Sequence, residues 1–310
     1  MPKLSALDSQ GSFAQNNIPL ARYTTWGVGG IAETFFIPNN KNELSAAVMW
    51  ARENAQDFFT LGGGSNILIS DGMIKTPVIL TKAISGISAR ISGDDVFLDC
   101  MAGTQLKSVL SLSARNGWSG LEFAAGIPGT VGGAIAGNAG ALSGYVGQAV
   151  LRIVTIEADG STVEWNGREI DWEYRRCPLF DDDRRIACKV TFALRVSGKN
   201  DVAGAIKSAM NGRKSQPVSS RTAGCVFKNP PRDSAGRLLD ASGCKGMTLG
   251  GARVSEVHAN FIENFGNCTA LDILSLAASC RKRVKERFDT TLDFEIKMLG
   301  IPEGAADAQD

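Results

Sequence analysis

Histidine is almost missing from this 310-residue chain, where His258 is the only one. A histidine-based catalytic triad and a multi-histidine metal site are therefore disfavoured, and the lone ring reads as a structural hydrogen-bonding group. The cysteines are Cys100, Cys177, Cys188, Cys225, Cys244, Cys268 and Cys280, an odd number with no pair at CxxC spacing. That pattern excludes a zinc ribbon and a disulfide framework and points to a reducing compartment. No run of about 18 apolar residues occurs, so no membrane-spanning helix is expected. Met1 to Asn17 is polar and lacks the apolar segment of a secretory leader, which leaves the cytoplasm as the expected location. Net charge is also lacking: 33 basic and 32 acidic side chains leave +1. Such a balance argues against a surface built for nucleic acid. Asp181-Asp182-Asp183 reads as a solvated loop, and no metal is expected there.

What is abundant is glycine, 35 residues in all, and it is clustered. Clustered glycine marks backbone that turns sharply or approaches a ligand closely. One cluster is Leu61-Gly-Gly-Gly-Ser-Asn-Ile-Leu68. A second is Gly126-Ile-Pro-Gly-Thr-Val-Gly-Gly-Ala134, followed by Asn138-Ala-Gly-Ala141. Small residues let several backbone N–H groups converge on an anion, and Ser65 and Thr130 add hydroxyl donors. Neither cluster is a G-x-G-x-x-G fingerprint or a P-loop. Glycine serving only tight turns is the competing reading for either cluster alone. Two clusters, each beside an apolar run, point to one extended ligand, and a dinucleotide with a pyrophosphate fits.

At roughly 100–200 residues per domain the length suggests two domains. Strands are expected at 32–37, 58–61, 67–69, 78–80, 96–99, 186–196, 225–227 and 293–299, with a hairpin over 149–165 turning at Asp159-Gly160. Asn40 is placed to cap a helix over 41–54, with Leu44, Ala47, Val48 and Ala51 on one face. Further helices are expected over 104–116, closed by Gly117, over 201–210, and over 269–288. Gly198-Lys199-Asn200 reads as a linker. Strands interspersed with helices indicate an α/β or α+β architecture.

The motifs, in order, resemble the UDP-N-acetylenolpyruvylglucosamine reductases of peptidoglycan synthesis, the MurB family. They are Thr24-Thr25-Trp26-Gly-Val-Gly-Gly30, the two glycine clusters, Tyr174-Arg175, Gly224-Cys-Val-Phe-Lys-Asn-Pro230, Gly243-Cys-Lys-Gly246, Val254-Ser-Glu-Val-His-Ala-Asn-Phe261, and Leu292-Asp-Phe-Glu-Ile296 before Gly300. The resemblance spans residues 18 to 302. It implies an α+β fold: an FAD-binding domain of the vanillyl-alcohol-oxidase (PCMH) type with two α/β lobes, plus a C-terminal α+β substrate-binding domain. The expected division is a tail at 1–17, an FAD domain at 18–197 with lobes split near 82–95, a substrate domain at 198–302, and a tail at 303–310. The short spacing between Tyr174-Arg175 and the Gly224 motif suggests the compact subtype of the family.

The resemblance also implies the chemistry. The substrate would be UDP-N-acetyl-enolpyruvylglucosamine and the product UDP-N-acetylmuramate, with NADPH as donor and non-covalent FAD as hydride carrier. FAD would be held by Gly62, Gly63, Gly64, Ser65, Asn66, Gly126, Ile127, Pro128, Gly129, Thr130, Gly132 and Gly133. Arg175 would brace the enolate electrostatically, although alone it reads as a surface or structural arginine. Glu295, between Phe294 and Ile296, would point into the site rather than sit on the solvent face of an edge strand. Cys225 stands where the family more often has a serine proton donor. An ordinary thiol, with a pKa of about 8.5, carries its proton at neutral pH, and a buried inert thiol is the competing reading. Arg213 would meet the UDP phosphates and Asn229 the sugar or base. Lys228, Lys245, His258 and Asn260 lie in matching motifs without assigned roles. After Arg175 the family usually has a small polar pair, whereas this chain has Arg176-Cys177-Pro178, which stay outside the expected site. A monomer is expected. A flavin oxidase of the same fold and a catalytically silent flavin- or nucleotide-sugar-binding protein are the competing functions.

Overall fold

The computed structural model describes residues 13–54, 57–141, 144–181, 185–213, 216–217, 221–302 and 304–305. The chain divides into two units. The first comprises the chain up to Asn16, Thr34–Gly63 and Thr76–Arg213. The second comprises Asn17–Glu33, Gly64–Lys75 and everything after Arg213. The sequence-derived boundary at 198 differs from this division, because Gly198 is the N-cap of a helix of the first unit.

In the first unit a parallel sheet is covered by helix α1 (Lys41–Glu53). Asn40 caps α1: its Oδ1 accepts the Glu43 N–H at 3.0 Å, and the Glu43 carboxylate accepts the Asn39 N–H at 2.8 Å. Leu44, Ala47, Val48 and Ala51 fall on one helical face and are buried with Phe36, Phe58 and Ile79. Val78–Leu80 is the central strand, pairing parallel with Phe35–Phe36 on one side and Phe59–Leu61 on the other. It is a continuous buried apolar run, as a parallel strand covered on both faces should be.

From Ile87 the same unit builds an antiparallel sheet in the order Thr162–Asn166, Val150–Ile156, Ile186–Val196, Asp95–Met101, Ile87–Ser92. Asp95–Met101 alternates, with Val96, Leu98 and Cys100 buried. Opposite them lie Leu194, Phe192 and Val190 of the longest strand. Helices α2 (Leu106–Asn116) and α3 (Val131–Ala136) cover this sheet. Gly117 ends α2 in the left-handed conformation at φ 72°. Helix α4 (Lys199–Asn211) begins where a linker was expected. Its entry is fixed because the Ser197 N–H donates to Gly117 O at 2.7 Å.

In the second unit helices α5 (Ala235–Ala241) and α6 (Ala270–Phe288) share an apolar core with Trp26, Val226, Phe227, Val254, Ile262, Leu292 and Ile296. The Trp26 indole N–H donates to Ile262 O at 2.7 Å, so this fully buried ring leaves no unpaired donor. Thr269 and Asp272 form a reciprocal capping box at the start of α6. Asp71 accepts the N–H groups of Ala270 at 2.8 Å and Leu271 at 3.1 Å. A small antiparallel sheet, Thr248–Leu249, Ala252–Val254 and Ile262–Asn264, packs with α6. Ile67–Ile69 pairs parallel with Lys297–Leu299.

Three local expectations differ from the structure. The stretch expected as a loose tail is a strand over Ala14–Pro19, anchored by the buried Phe13, whose carbonyl accepts the Ile37 N–H at 2.7 Å. Residues 1–12 of that tail, Asp182 and Asp183 of the acidic run, and Glu303 and 306–310 of the C-terminal tail lie outside the described residues. Cys225–Phe227 is not a regular strand, since Cys225 and Phe227 each make one antiparallel bridge, to Phe261 and Phe294. The closing strand is regular only over Lys297–Leu299. Among the described residues no helix is long and apolar enough to cross a membrane.

Candidate active site

The two glycine clusters, far apart in sequence, pack on one another within the first unit. A Cβ on Gly62 would lie 2.5 Å from Thr130 Oγ1, and one on Gly63 would lie 2.7 Å from Gly129 Cα. Gly63 thus meets the second loop backbone to backbone, while Gly62 packs on the Thr130 side chain. The second loop is tied to its own lobe by Leu106 N–H to Gly129 O at 3.1 Å, Val131 N–H to Thr104 O at 2.8 Å and Gly132 N–H to Ala102 O at 2.8 Å. The Thr130 hydroxyl accepts the Gly133 N–H at 3.4 Å and caps α3. Ile127 turns its side chain toward the core and Pro128 is exposed. Neither loop carries a charged side chain. The Arg213 stem passes beside Gly126, with Cδ 2.9 Å from where a Cβ would sit. An uncharged, hydroxyl-bearing glycine surface fits the diphosphate of a dinucleotide.

The remainder of the first cluster belongs to the second unit. Gly64 has φ 64°, and a Cβ there would overlap the Tyr23 carbonyl. Thr25 grips the same residue, its N–H and Oγ1 donating to Gly64 O at 2.9 and 3.2 Å. The Thr24–Gly30 motif thus braces the first loop. Asn66 has a partner that the sequence did not suggest. Its Nδ2 donates to Glu295 O at 3.1 Å, and its own carbonyl accepts the Lys297 N–H at 3.0 Å. This clasp extends the pairing of Ile67–Ile69 with Lys297–Leu299.

Arg175 lies in the first unit at the tip of the turn Glu173–Arg176. Its φ of 58° is left-handed, a conformation that costs a non-glycine residue about 1–3 kcal/mol and persists only where neighbours over-determine it. Its Nη1 donates to Gly140 O at 2.9 Å, and its guanidinium carbon lies 5.3 Å from the ring centre of the exposed Tyr174. The second glycine region therefore also positions this arginine.

Main-chain hydrogen bonds lay the segment that carries Cys225 beside the segment that carries Glu295 in the second unit. The Glu295 N–H donates to Val226 O at 2.8 Å, and the Lys228 N–H donates to Asp293 O at 2.8 Å. On the other side the Val226 N–H donates to Asn260 O at 2.9 Å. The buried Asn260 side chain completes the segment: Oδ1 accepts the Phe227 N–H at 2.9 Å and Nδ2 donates to Phe227 O at 2.8 Å. Asn260, left without a role by the sequence, thus acts as a substitute strand edge. Cys225 and Glu295 are both half-buried, while Val226 and Phe227 between them are core. Burial, reinforced by Asp99, pushes Cys100 up to about 12, and burial pushes Cys177 up to about 11. Burial with Asp272 and Asp71 pushes Cys268 up to about 12.

Asn229 is committed in part to structure, because its Oδ1 accepts the Ala235 N–H at 3.0 Å at the start of α5. A substrate contact would fall to its Nδ2. His258 is structural in geometry: Nδ1 accepts the Asn260 N–H at 3.2 Å and the ring packs edge-on against Phe261 at 4.9 Å. Burial, then the charge of Lys245, lowers its pKa below the ordinary value. Lys245 itself pairs with Asp240 at 2.7 Å. No group of three or more His, Cys, Asp and Glu suited to a metal ion occurs among the described residues.

Comparison with known proteins agrees with this geometry. Residues 32–166 match the family described as FAD binding domain, and residues 216–299 match the C-terminal domain of UDP-N-acetylenolpyruvoylglucosamine reductase. The chain is 38% identical to the UDP-N-acetylenolpyruvoylglucosamine reductase of Desulfosudis oleivorans, over 91% of this chain and 93% of that one. It is also 38% identical to that of Moorella thermoacetica, over 92% of each chain. The solved structure of the Thermus caldophilus reductase (MurB) is 33% identical, with a TM-score of 0.78 over 92% of this chain and 98% of that one. A glucose oxidase variant of Phl p 4, 14% identical, has a TM-score of 0.51 over 63% of this chain and 44% of that one, a likeness of fold alone. The fold is α+β, an FAD-binding domain of the vanillyl-alcohol-oxidase type joined to a MurB C-terminal domain. On its sequence, its two matched domains and its structure, the chain belongs to the UDP-N-acetylenolpyruvoylglucosamine reductase (MurB) family.

Proposed function

We propose that this chain reduces UDP-N-acetyl-enolpyruvylglucosamine to UDP-N-acetylmuramate in peptidoglycan precursor synthesis, with NADPH as donor. FAD would be held non-covalently by Gly62, Gly63, Gly64, Ser65 and Asn66 of the first glycine cluster and by Gly126, Ile127, Pro128, Gly129, Thr130, Gly132 and Gly133 of the second. When bound, it supplies reversible two-electron, hydride-carrying chemistry. The reading is carried by one observation: main-chain hydrogen bonds fix a half-buried thiol and a half-buried carboxylate on neighbouring segments, with Val226 O accepting the Glu295 N–H.

Hydride addition to the enolpyruvyl methylene leaves negative charge on the adjacent carbon and its carboxylate. Arg175 stabilises that charge. Cys225 delivers a proton to the carbon, and Glu295 holds its place in the same site. Arg213 meets the UDP diphosphate, and Asn229 reaches the sugar or base through Nδ2. The enzyme works as a cytoplasmic monomer, with no nucleic-acid or membrane partner.

The test is anaerobic. NADPH should bleach the flavin of the purified protein, and UDP-N-acetyl-enolpyruvylglucosamine should then restore its colour with UDP-N-acetylmuramate as product. Flavin that recovers only on admitting air would replace this reading with an oxidase.

A further inference from the structure

Arg176, next to Arg175 in the chain, is paired with carboxylates on two sides. Its Nη1 donates to both Glu173 carboxylate oxygens at 2.7 Å. On the other side Nε donates to the Asp181 oxygens at 3.2 and 3.0 Å, and Nη2 donates to Oδ2 at 2.5 Å. Its hydrogen bonds to Asp181 first, then to Glu173, raise its pKa further above the ordinary guanidinium range.

Those partners are placed by the chain itself. Glu173 and Arg176 exchange backbone hydrogen bonds at 3.1 and 3.3 Å, closing a turn whose tip is Tyr174 and Arg175. The Glu173 carbonyl also accepts Asn138 Nδ2 at 2.7 Å, and Asn138 Oδ1 accepts the Gly147 N–H at 3.2 Å. Beyond the turn, the buried Cys177 donates its N–H to Ala136 O at 3.2 Å. A 3-10 turn over Pro178–Phe180 then returns the chain so that Asp181 faces Arg176. Arg175 occupies the turn position normally given to glycine or asparagine, at φ 58°. A strained residue holds its geometry only where its surroundings leave no alternative. Within this turn the Arg176 pairs with Glu173 and Asp181 link the near side to the far side.

We propose that Arg176 is a positioning residue, a two-sided ionic clamp that holds the Glu173–Arg176 turn closed and so sets the Arg175 guanidinium for the step in which charge develops on the substrate. The proposal rests on the functional reading above, in which Arg175 acts on the substrate and not on NADPH. Arg176 therefore affects one half-reaction only.

The test uses flavin-loaded protein and the variants Arg176→Met, Arg176→Lys, Glu173→Gln and Asp181→Asn. In anaerobic stopped flow, Arg176→Met should slow flavin reoxidation by saturating UDP-N-acetyl-enolpyruvylglucosamine at least tenfold. Flavin reduction by NADPH should stay within twofold and KM within threefold. Arg176→Lys, which keeps one pairing at a time, should recover part of the rate. Glu173→Gln and Asp181→Asn should each give an intermediate loss, which keeps the proposal testable if Arg176→Met folds poorly. In an Arg175→Lys background, Arg176→Met should add no further loss. Hydrogen exchange should rise in the peptide over 173–177 of Arg176→Met, a readout independent of turnover. Wild-type reoxidation in Arg176→Met, equal loss in both half-reactions, or a full added loss in the Arg175→Lys background would overturn the clamp while leaving the activity standing. Wild-type protein whose flavin the UDP substrate fails to reoxidise would overturn the functional reading and the clamp with it.

Discussion

The two regions proposed to carry the chemistry are built by different means. The Arg175 turn is a strained, partly exposed loop whose backbone hydrogen bonds are supplemented by side chains: Asn138 on the Glu173 carbonyl, Arg175 on the Gly140 carbonyl and two exposed ion pairs. The Cys225–Glu295 region is held by main chain against a buried apolar core, with one buried amide completing its edge. Exposed ion pairs are screened by salt and individually weak. Buried backbone pairing is insensitive to salt and costly to break. The first arrangement can be tuned by single surface substitutions, and the second resists them.

The largest expected effect lies on the chemical groups of both regions. Cys225→Ala and Glu295→Gln should each slow flavin reoxidation by the UDP substrate by about 10²- to 10⁴-fold, with flavin reduction by NADPH unchanged. Arg175→Gln should cost about 10²- to 10³-fold in the same step. Full-rate reoxidation in any of these variants removes that residue from the chemistry. Cys225→Ser separates the donor role from packing: activity should persist while the alkaline limb of the pH–rate profile moves or disappears.

Next comes the buried edge of the second region. Asn260→Leu strips partners from both the N–H and the C=O of Phe227 and should lower stability by about 2–4 kcal/mol. Urea unfolding measures this, and a variant as stable as wild type would show that Phe227 finds other partners. Salt should then separate the regions: raising NaCl to 0.5 M should slow wild-type reoxidation by about two- to threefold, and much less in Arg176→Met. Equal salt sensitivity in both proteins would erase the contrast.

The smallest effect concerns His258. Its folded pKa is lowered by burial and by Lys245, so between that value and about 6.5 the unfolded chain binds more protons than the folded one. The stability it contributes is fully present above about pH 6.5 and is lost as pH falls below that value. His258→Gln should flatten the acid side of a plot of stability against pH, as measured by thermal denaturation. An unchanged acid slope would assign it to other groups.

Much of the architecture was legible because local rules were obeyed. The spacing of Leu44, Ala47, Val48 and Ala51 and the Asn40 cap define α1, and Thr269 with Asp272 starts α6. The alternation over 186–196 marks the longest strand. What could not be read were pairings whose partners lie far along the chain. Ala14–Pro19 looks like a tail because its order comes from Phe13 and Ile37. Gly198 looks like a linker because its helix is held by Gly117. Asn66 resembles a loop residue until Glu295 is placed beside it across 229 positions. Arg176 is a local exception: Asp181 is only five positions on, and the turn geometry between them brings it back to the guanidinium.

By itself the sequence determined much of the inventory: most of the longer helices and strands, where glycine clusters, and an ordered set of motifs that assigns the family. Those properties depend on residues near one another in the chain. Only the tertiary structure decided that the two glycine clusters meet, that Asn260 stands in for a strand edge behind Cys225, and that Asn66 clasps Glu295. Each of these is a hydrogen bond or steric contact between distant residues. Folding selects such contacts by burying apolar surface and satisfying backbone polar groups together, and no local pattern records which distant partner completes the pair.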